Sequence, residues 1–313
     1  MTKIYDYVIY HGPCPDGVTA LWAADYYYLS IEHSYEAIQC KAGKDPEKNF
    51  QGKRLLFVDL CPSLNFIVET CKIAEVITIL DHHKSAIDMY YENEQVLNSI
   101  NNLHMEIDPQ RAGCQISWDY FNDNATPHSK PRPWFINYVA DRDLWKWELP
   151  FSKEINSALY ENNFIDPINL NKLTDLLVDS ENKKQKLIEY GELILQIQNR
   201  ELNLAVSKSL VAEFKHKNTK YKIWLGGNIS MNLRSELGNM LVNKKFPDGS
   251  NPDFAAIWFY DPKSNEWWIS FRGGPNSPDL SVIARDYGGG GHKNASATTI
   301  QNGKTLHDFF KIL

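Results

Sequence analysis

Three short apolar runs near the start of the chain each end in acid or imidazole, and this pattern constrains the fold more than any other. Tyr7-Val8-Ile9-Tyr10 leads into His11 and Asp16, Leu55-Leu56-Phe57-Val58 into Asp59, and Val76-Ile77-Thr78-Ile79-Leu80 into Asp81-His82-His83. Runs this short, with little polar alternation, suit strands buried on both faces, as in a parallel sheet. Ligands of open α/β sheets bind outside the carboxyl ends of the strands, so the three polar termini are expected to converge on one site. Mixed carboxylate and imidazole donors suit Mn²⁺, Mg²⁺ or Zn²⁺. A lone Asp at a strand end usually caps a helix or opens a turn. Three successive junctions rich in ligand-type residues are hard to ascribe to capping.

The alternation continues through the first part of the chain. Helical stretches are expected at Gly17–Tyr28, Ser63–Lys72 and near Ser85–Tyr90, each following one of the three strands, as in βαβ crossovers. Cys114–Phe121, Trp134–Val139 and Ile168–Val178 read as further helices, and Asp123–Pro133 as a loop. From Glu181 to Lys208 the sequence is charged, with Leu187, Tyr190, Ile194, Ile197 and Leu204 near helical spacing, which predicts a connecting helix. Beyond it, strands are expected at Tyr221–Leu225, Phe254–Tyr260, Trp267–Phe271 and Ala295–Ile300, with helices near Ser235–Val242, Leu280–Asp286 and Leu306–Ile312. The expected architecture is α/β: a parallel-sheet domain over 1–180, a helical linker over 181–208, and a smaller mixed α/β domain over 209–313.

A chain of 313 residues with 43% hydrophobic content can bury two ordinary cores. Its 33 basic against 39 acidic residues, net charge −6, argue against a broad electrostatic grip on long duplex nucleic acid. A short or small phosphorylated substrate fits better. Cys14, Cys40, Cys61, Cys71 and Cys114 form no CxxC pair and no secreted-type framework, so reduced thiols and a cytoplasmic setting are expected. The first strand begins too early for a signal peptide, and no apolar run approaches the roughly 20 residues of a membrane helix. The N-x-S/T triplets at Asn124 and Asn294 therefore carry no weight as glycosylation sites.

Five separated motifs, in order, resemble the DHH phosphoesterase superfamily with its associated C-terminal substrate domain. They are the His11-Gly12-Pro13-Cys14-Pro15-Asp16-Gly17 turn, Asp59, the Asp81-His82-His83 triplet, Asp141 within Val139-Ala140-Asp141-Arg142-Asp143, and Gly288-Gly289-Gly290-Gly291-His292. The resemblance spans nearly the whole chain. It implies a metal-dependent phosphodiesterase or exonuclease acting on short single-stranded RNA or DNA or on a small nucleotide, with one or two Mn²⁺ ions and with Mg²⁺ or Zn²⁺ as alternatives. By the same resemblance His11, Asp16, Asp59, His82 and Asp141 are metal ligands, with Asp59 able to bridge two ions. Asp81 then orients a neighbouring group and His83 faces the substrate phosphate, both in the catalytic centre. Two cations roughly 3.5–4 Å apart activate water without a serine or cysteine nucleophile.

The first motif departs from the family pattern, since relatives carry Asp-x-Asp where this chain has Cys14-Pro15-Asp16. Either Cys14 is a ligand, favouring Zn²⁺ or Mn²⁺ over Mg²⁺, or one metal position is weak, or the site works with one ion; a small packed residue is the plain alternative. Asp143 is expected to point away from Asp141, because residues two apart do not share a helical face. Trp145 and Trp147 are either a base-stacking pair or core aromatics. In the second domain the glycine run would let backbone N–H groups approach a phosphate. Arg272, Gly289, Gly290, Gly291 and His292 are thus the expected substrate contacts. A pyrophosphatase or polyphosphatase, and a catalytically impaired nucleic-acid-binding protein, are the competing readings.

Overall fold

The computed structural model describes residues 3–12, 14–41, 43–122, 130–300 and 304–313, so Pro13, Asn124 and most of the expected Asp123–Pro133 loop lie outside the described residues. The chain divides into two compact units, Met1–Leu195 and Gln196–Leu313.

The first unit runs β1 (Tyr7–His11), α1 (Pro15–Ser30), β2 (Glu36–Cys40), β3 (Arg54–Val58), α2 (Leu64–Cys71), β4 (Val76–Asp81), α3 (Lys84–Glu92), α4 (Glu94–Asn98), β5 (Leu103–Ile107), α5 (Gly113–Asn122), α6 (Trp134–Asp143), α7 (Ser152–Glu161) and α8 (Asn171–Asp175), and the helix α9 (Ser180–Lys208) runs across the division. Its five strands pair in the order β2-β1-β3-β4-β5, all parallel. The strand order reverses direction between β1 and β3, the switch point at which doubly wound sheets bind ligands. The apolar runs behave as expected of central strands: all six residues of β4 are buried, as are the last four of β3. Ser63 caps α2 by accepting the Phe66 N–H. The edge strands β2 and β5 carry no such run and are largely exposed or half-buried, which is why periodicity does not reveal them.

The crossing helix α9 starts in one core and finishes in the other. Leu187, Ile188 and Ile194 pack into the cluster around Trp22, Trp118 and Phe135, whereas Leu202 and Ala205 pack with Trp224, Leu237 and Leu241. The expected Ile168–Val178 helix is shorter, with only Asn171–Asp175 helical and Ile168 93% exposed.

The second unit adds β6 (Leu210–His216), β7 (Thr219–Gly227), a 3-10 turn (Met231–Leu233), α10 (Arg234–Val242), β8 (Ala255–Asp261), β9 (Glu266–Arg272), α11 (Leu280–Asp286), β10 (Gly290–His292), β11 (Ala295–Ile300), α12 (Leu306–Phe309) and β12 (Phe310–Ile312). Its mixed seven-stranded sheet is ordered β10-β11-β9-β8-β7-β6-β12, with β7 and β8 the parallel pair. The helix expected over Leu306–Ile312 is corrected. A Thr305/Asp308 capping box closes a single turn, after which Phe310 enters the core and Phe310–Ile312 pair with β6. Within the glycine run, Gly290, Gly291 and His292 form a short edge strand paired with β11.

Candidate metal centre

Four chain segments deliver the cluster. His11 ends β1, Asp16 lies in the first turn of α1, and Asp59 follows β3; Asp81 ends β4, with His82 and His83 directly after it. Asp16, Asp59, Asp81 and His82 are each at most 2% exposed, and burial of this many ionisable groups is costly unless each is paired or binds a cation.

Asp59 holds the cluster together. Its Oδ2 lies 3.3 Å from His11 Nδ1 and its Oδ1 3.1 Å from His82 Nε2. Its backbone has φ of 55°, in the left-handed region that side-chain-bearing residues rarely enter, and its N–H donates to the Leu80 carbonyl. Strain of this kind persists where surrounding contacts over-determine it. Gly113, opening α5, supplies one such contact: a Cβ there would sit 2.6 Å from the Asp59 Cβ. The same helix start orients Asp16, whose carboxylate accepts the N–H groups of Gly113 at 2.7 Å and Cys114 at 2.9 Å.

The fourth carboxylate is Asp143. Its Oδ2 lies 3.4 Å from His82 Nε2, as does Asp16 Oδ2, so one imidazole nitrogen faces three carboxylates. That Oδ2 is buried without a hydrogen-bond partner among the described residues, the condition in which a carboxylate oxygen suits a cation. Asp141 does not join. Its carboxylate accepts the N–H groups of Glu148 and Leu149, and its carbonyl those of Lys146 and Trp147. The helical phase that turns Asp143 toward His82 turns Asp141 toward the following segment. The assignment of a cluster position to Asp141 is therefore corrected to Asp143.

Several groups of donors lie close enough together to hold an ion: His11, Cys14 and Asp59 form one, Asp16, His82 and Asp143 a second, and Asp59, Asp81, His82 and His83 a third that shares residues with both. Asp81 also clamps its own neighbours, its Oδ1 accepting the His82 N–H at 2.8 Å and lying 2.7 Å from His83 Nδ1.

The electrostatics express the same crowding. Burial, with Asp59 and Asp143 nearby, pushes the Asp16 carboxyl well above the usual range, and burial raises that of Asp143. Burial would also raise Asp59, but hydrogen bonds from His11 and His82 and the adjacent His83 outweigh it and hold the carboxyl well below its usual value. Burial opposes charge on His11 and His82, yet their hydrogen bonds to Asp59 prevail and raise both, His82 strongly. Burial and three nearby acids push the Cys14 thiol up. A divalent ion bound there would compete with protons for the groups whose pKa is raised.

The substrate contacts expected in the second unit fare unevenly. Arg272 donates from Nη2 to Ser235 Oγ and from Nη1 to the Phe271 carbonyl, and burial beside Arg234 pushes its guanidinium down to about 10. The Gly289 N–H is taken by the Ala284 carbonyl at 2.9 Å, so it cannot cradle a phosphate as expected; a Cβ there would lie 2.0 Å from the Ala297 carbonyl oxygen.

No family model matches the chain. It is 28% identical over 319 residues to the uncharacterized protein R106 of Acanthamoeba polyphaga mimivirus, covering 98% of this chain and 70% of that protein. Among solved structures, the pGpG-specific phosphodiesterase PggH of Vibrio cholerae aligns over 94% of this chain and 92% of its own, with 13% identity and a TM-score of 0.40. RecJ of Thermus thermophilus, in complex with Mg²⁺, aligns over 94% of this chain and 47% of its own, with 10% identity and a TM-score of 0.41.

Proposed function

We propose that the chain is a divalent-metal-dependent phosphoesterase of the DHH type, acting on short single-stranded oligonucleotides or small nucleotides. The observation that carries this reading is the Asp59 carboxylate, held at strained backbone with one oxygen toward the His11, Cys14 group and the other toward the Asp16, His82, Asp143 group. A bridging carboxylate between two cation positions needs that geometry.

Asp16, Asp59, His82 and Asp143 would hold one ion, and Asp59 with His11 and Cys14 a second. The chemistry a divalent cation supplies in such a site is polarisation of a phosphoryl oxygen and a lowered pKa for the attacking water. Asp81 orients His83 through Nδ1, and His83 is assigned to the substrate phosphoryl group. Mn²⁺ suits a set that mixes carboxylates, imidazoles and a thiol better than Mg²⁺ does. Arg272 and His292 are proposed to contact the nucleotide.

The test is a substrate screen on protein stripped with EDTA and returned to Mn²⁺, Mg²⁺ or Zn²⁺. Short oligoribonucleotides, nucleoside 3′,5′-bisphosphate, cyclic dinucleotides and polyphosphate would be compared. Hydrolysis of a nucleotide phosphoester, restored best by Mn²⁺, is expected. Full turnover in excess EDTA, or turnover of polyphosphate alone, would overturn the proposal.

A further inference from the structure

The segment that leaves the cluster after Asp143 presents aromatic rings in an unusual backbone. Trp145, Trp147 and Phe151 have φ of 55°, 56° and 59°, values that bulky residues seldom adopt. Asp141 pins the first two by collecting four successive N–H groups, those of Lys146 and Trp147 on its carbonyl and those of Glu148 and Leu149 on its carboxylate. The Trp145 N–H donates to the Arg142 carbonyl. Held this way, Trp145 remains 37% exposed and Phe151 52% exposed. The Trp145 and Trp147 rings meet edge to face with centroids 5.1 Å apart. Lys153 Nζ lies 5.7 Å from the Trp147 ring centroid, and Lys146, between the two tryptophans in sequence, is exposed.

Hydrophobic burial does not account for this arrangement, because an indole seeking the core would not be pinned outward at a backbone cost of about 1–2 kcal/mol. An exposed indole backed by a half-buried one, with lysines nearby in the chain, matches the chemistry of single-stranded nucleic acid, in which bases stack on aromatic faces while cations meet the phosphates. The chain as a whole is acidic, so these lysines are a local complement to an anionic strand. Trp145 is also only two residues from Asp143 of the cluster.

We propose that Trp145, supported by Trp147 and flanked by Lys146 and Lys153, stacks a nucleobase of a single-stranded oligonucleotide beside the metal centre. This inference rests on the phosphoesterase reading above and narrows it to substrates that carry a base near the phosphoester. Asp141 acts as a positioning residue that presents the indoles.

The experiment measures binding of a dye-labelled, hydrolysis-resistant phosphorothioate oligothymidylate by fluorescence anisotropy with Mn²⁺ present. Trp145→Ala should weaken binding about ten- to a hundred-fold, the span expected for loss of one stacked base. Trp145→Phe should recover most of it, because a phenyl face still stacks. Tyr91→Ala, which removes another exposed ring on α3, should bind as the wild type does. Unchanged affinity in Trp145→Ala, equal weakening by Phe and Ala, or no binding by the wild type would overturn the inference. Hydrolysis of bis-p-nitrophenyl phosphate by the wild type, measured in parallel, tests the phosphoesterase reading separately. Turnover without oligonucleotide binding sinks the stacking site alone, whereas binding without turnover sinks the enzyme reading alone.

Discussion

Asp59 in the first unit and the glycine run in the second use left-handed backbone in opposite ways. In the first, Asp59 adopts φ of 55° although it carries a side chain; in the second, Gly288 and Gly291 adopt φ of 79° and 129° where glycine does so at little cost. The strain at Asp59 is tolerated because its carboxylate joins His11 to His82, so side-chain identity matters there more than backbone comfort. At Gly289 and Gly291 an added Cβ would strike β11, so these positions need the lack of a side chain. At Asp59 the unusual backbone thus accompanies the candidate chemistry, whereas at Gly289 and Gly291 the lack of a side chain serves close strand packing.

The largest expected effect follows from removing the joining carboxylate. Asp59→Ala should leave less than about a hundredth of the hydrolytic activity, a barrier increase of roughly 2.7 kcal/mol, with metal content measured on the same samples. Retention of more than about a tenth would mean that Asp59 does not serve both donor groups.

Two glycine substitutions of equal size sharpen the contrast. Gly289→Ala should destabilise the second unit by about 1–3 kcal/mol, seen as a lower unfolding midpoint, while Mn²⁺ affinity stays near wild type. Gly113→Ala should instead lower Mn²⁺ affinity by about tenfold or more, because its Cβ displaces Asp59 and the Asp16 cradle. Equal effects of both on metal affinity would erase the distinction between the units.

A smaller difference separates the two aspartates of α6. Asp143→Asn should reduce Mn²⁺ affinity by about 10- to 100-fold with little change in melting temperature. Asp141→Ala should chiefly cost stability, about 1–3 kcal/mol, by leaving the Glu148 and Leu149 N–H groups without their carboxylate. The reverse outcome would return Asp141 to the cluster.

The smallest effect concerns protons. His11, His82, Asp16, Asp143 and Cys14 all have raised pKa values, so each stays protonated to a higher pH than in the unfolded chain. A cation needs them deprotonated, so Mn²⁺ affinity should rise with pH through the neutral range, and binding should release protons. Calorimetry in two buffers of different ionisation enthalpy would report this release, and identical heats would contradict it. Cys14→Ser should shift affinity by only a few-fold, more for Zn²⁺ than for Mg²⁺.

Much of this contrast is visible in the sequence. The runs before His11, Asp59 and Asp81 announce buried parallel strands, and their order predicts a shared edge. Asp143 was legible in principle: Ile136, Val139 and Ala140 form a buried stripe on α6 that Asp143 continues at helical spacing. Choosing between Asp141 and Asp143 requires the phase of that helix, which composition does not supply. Gly113 carries no motif, since its role lies in the space it leaves beside Asp59. The strands β2, β5 and β12 are short edges with polar or exposed residues, so their pairing is set by neighbours in the sheet rather than by their own pattern.

The most direct test of the account is equilibrium Mn²⁺ binding to chelator-stripped protein, wild type against Asp59→Asn. The wild type should bind Mn²⁺ and regain phosphoester hydrolysis in step with occupancy. The isosteric amide should keep the fold while losing both. Unchanged Mn²⁺ binding in Asp59→Asn, or full hydrolysis by the wild type in excess EDTA, would contradict the claim that this carboxylate organises a catalytic metal centre.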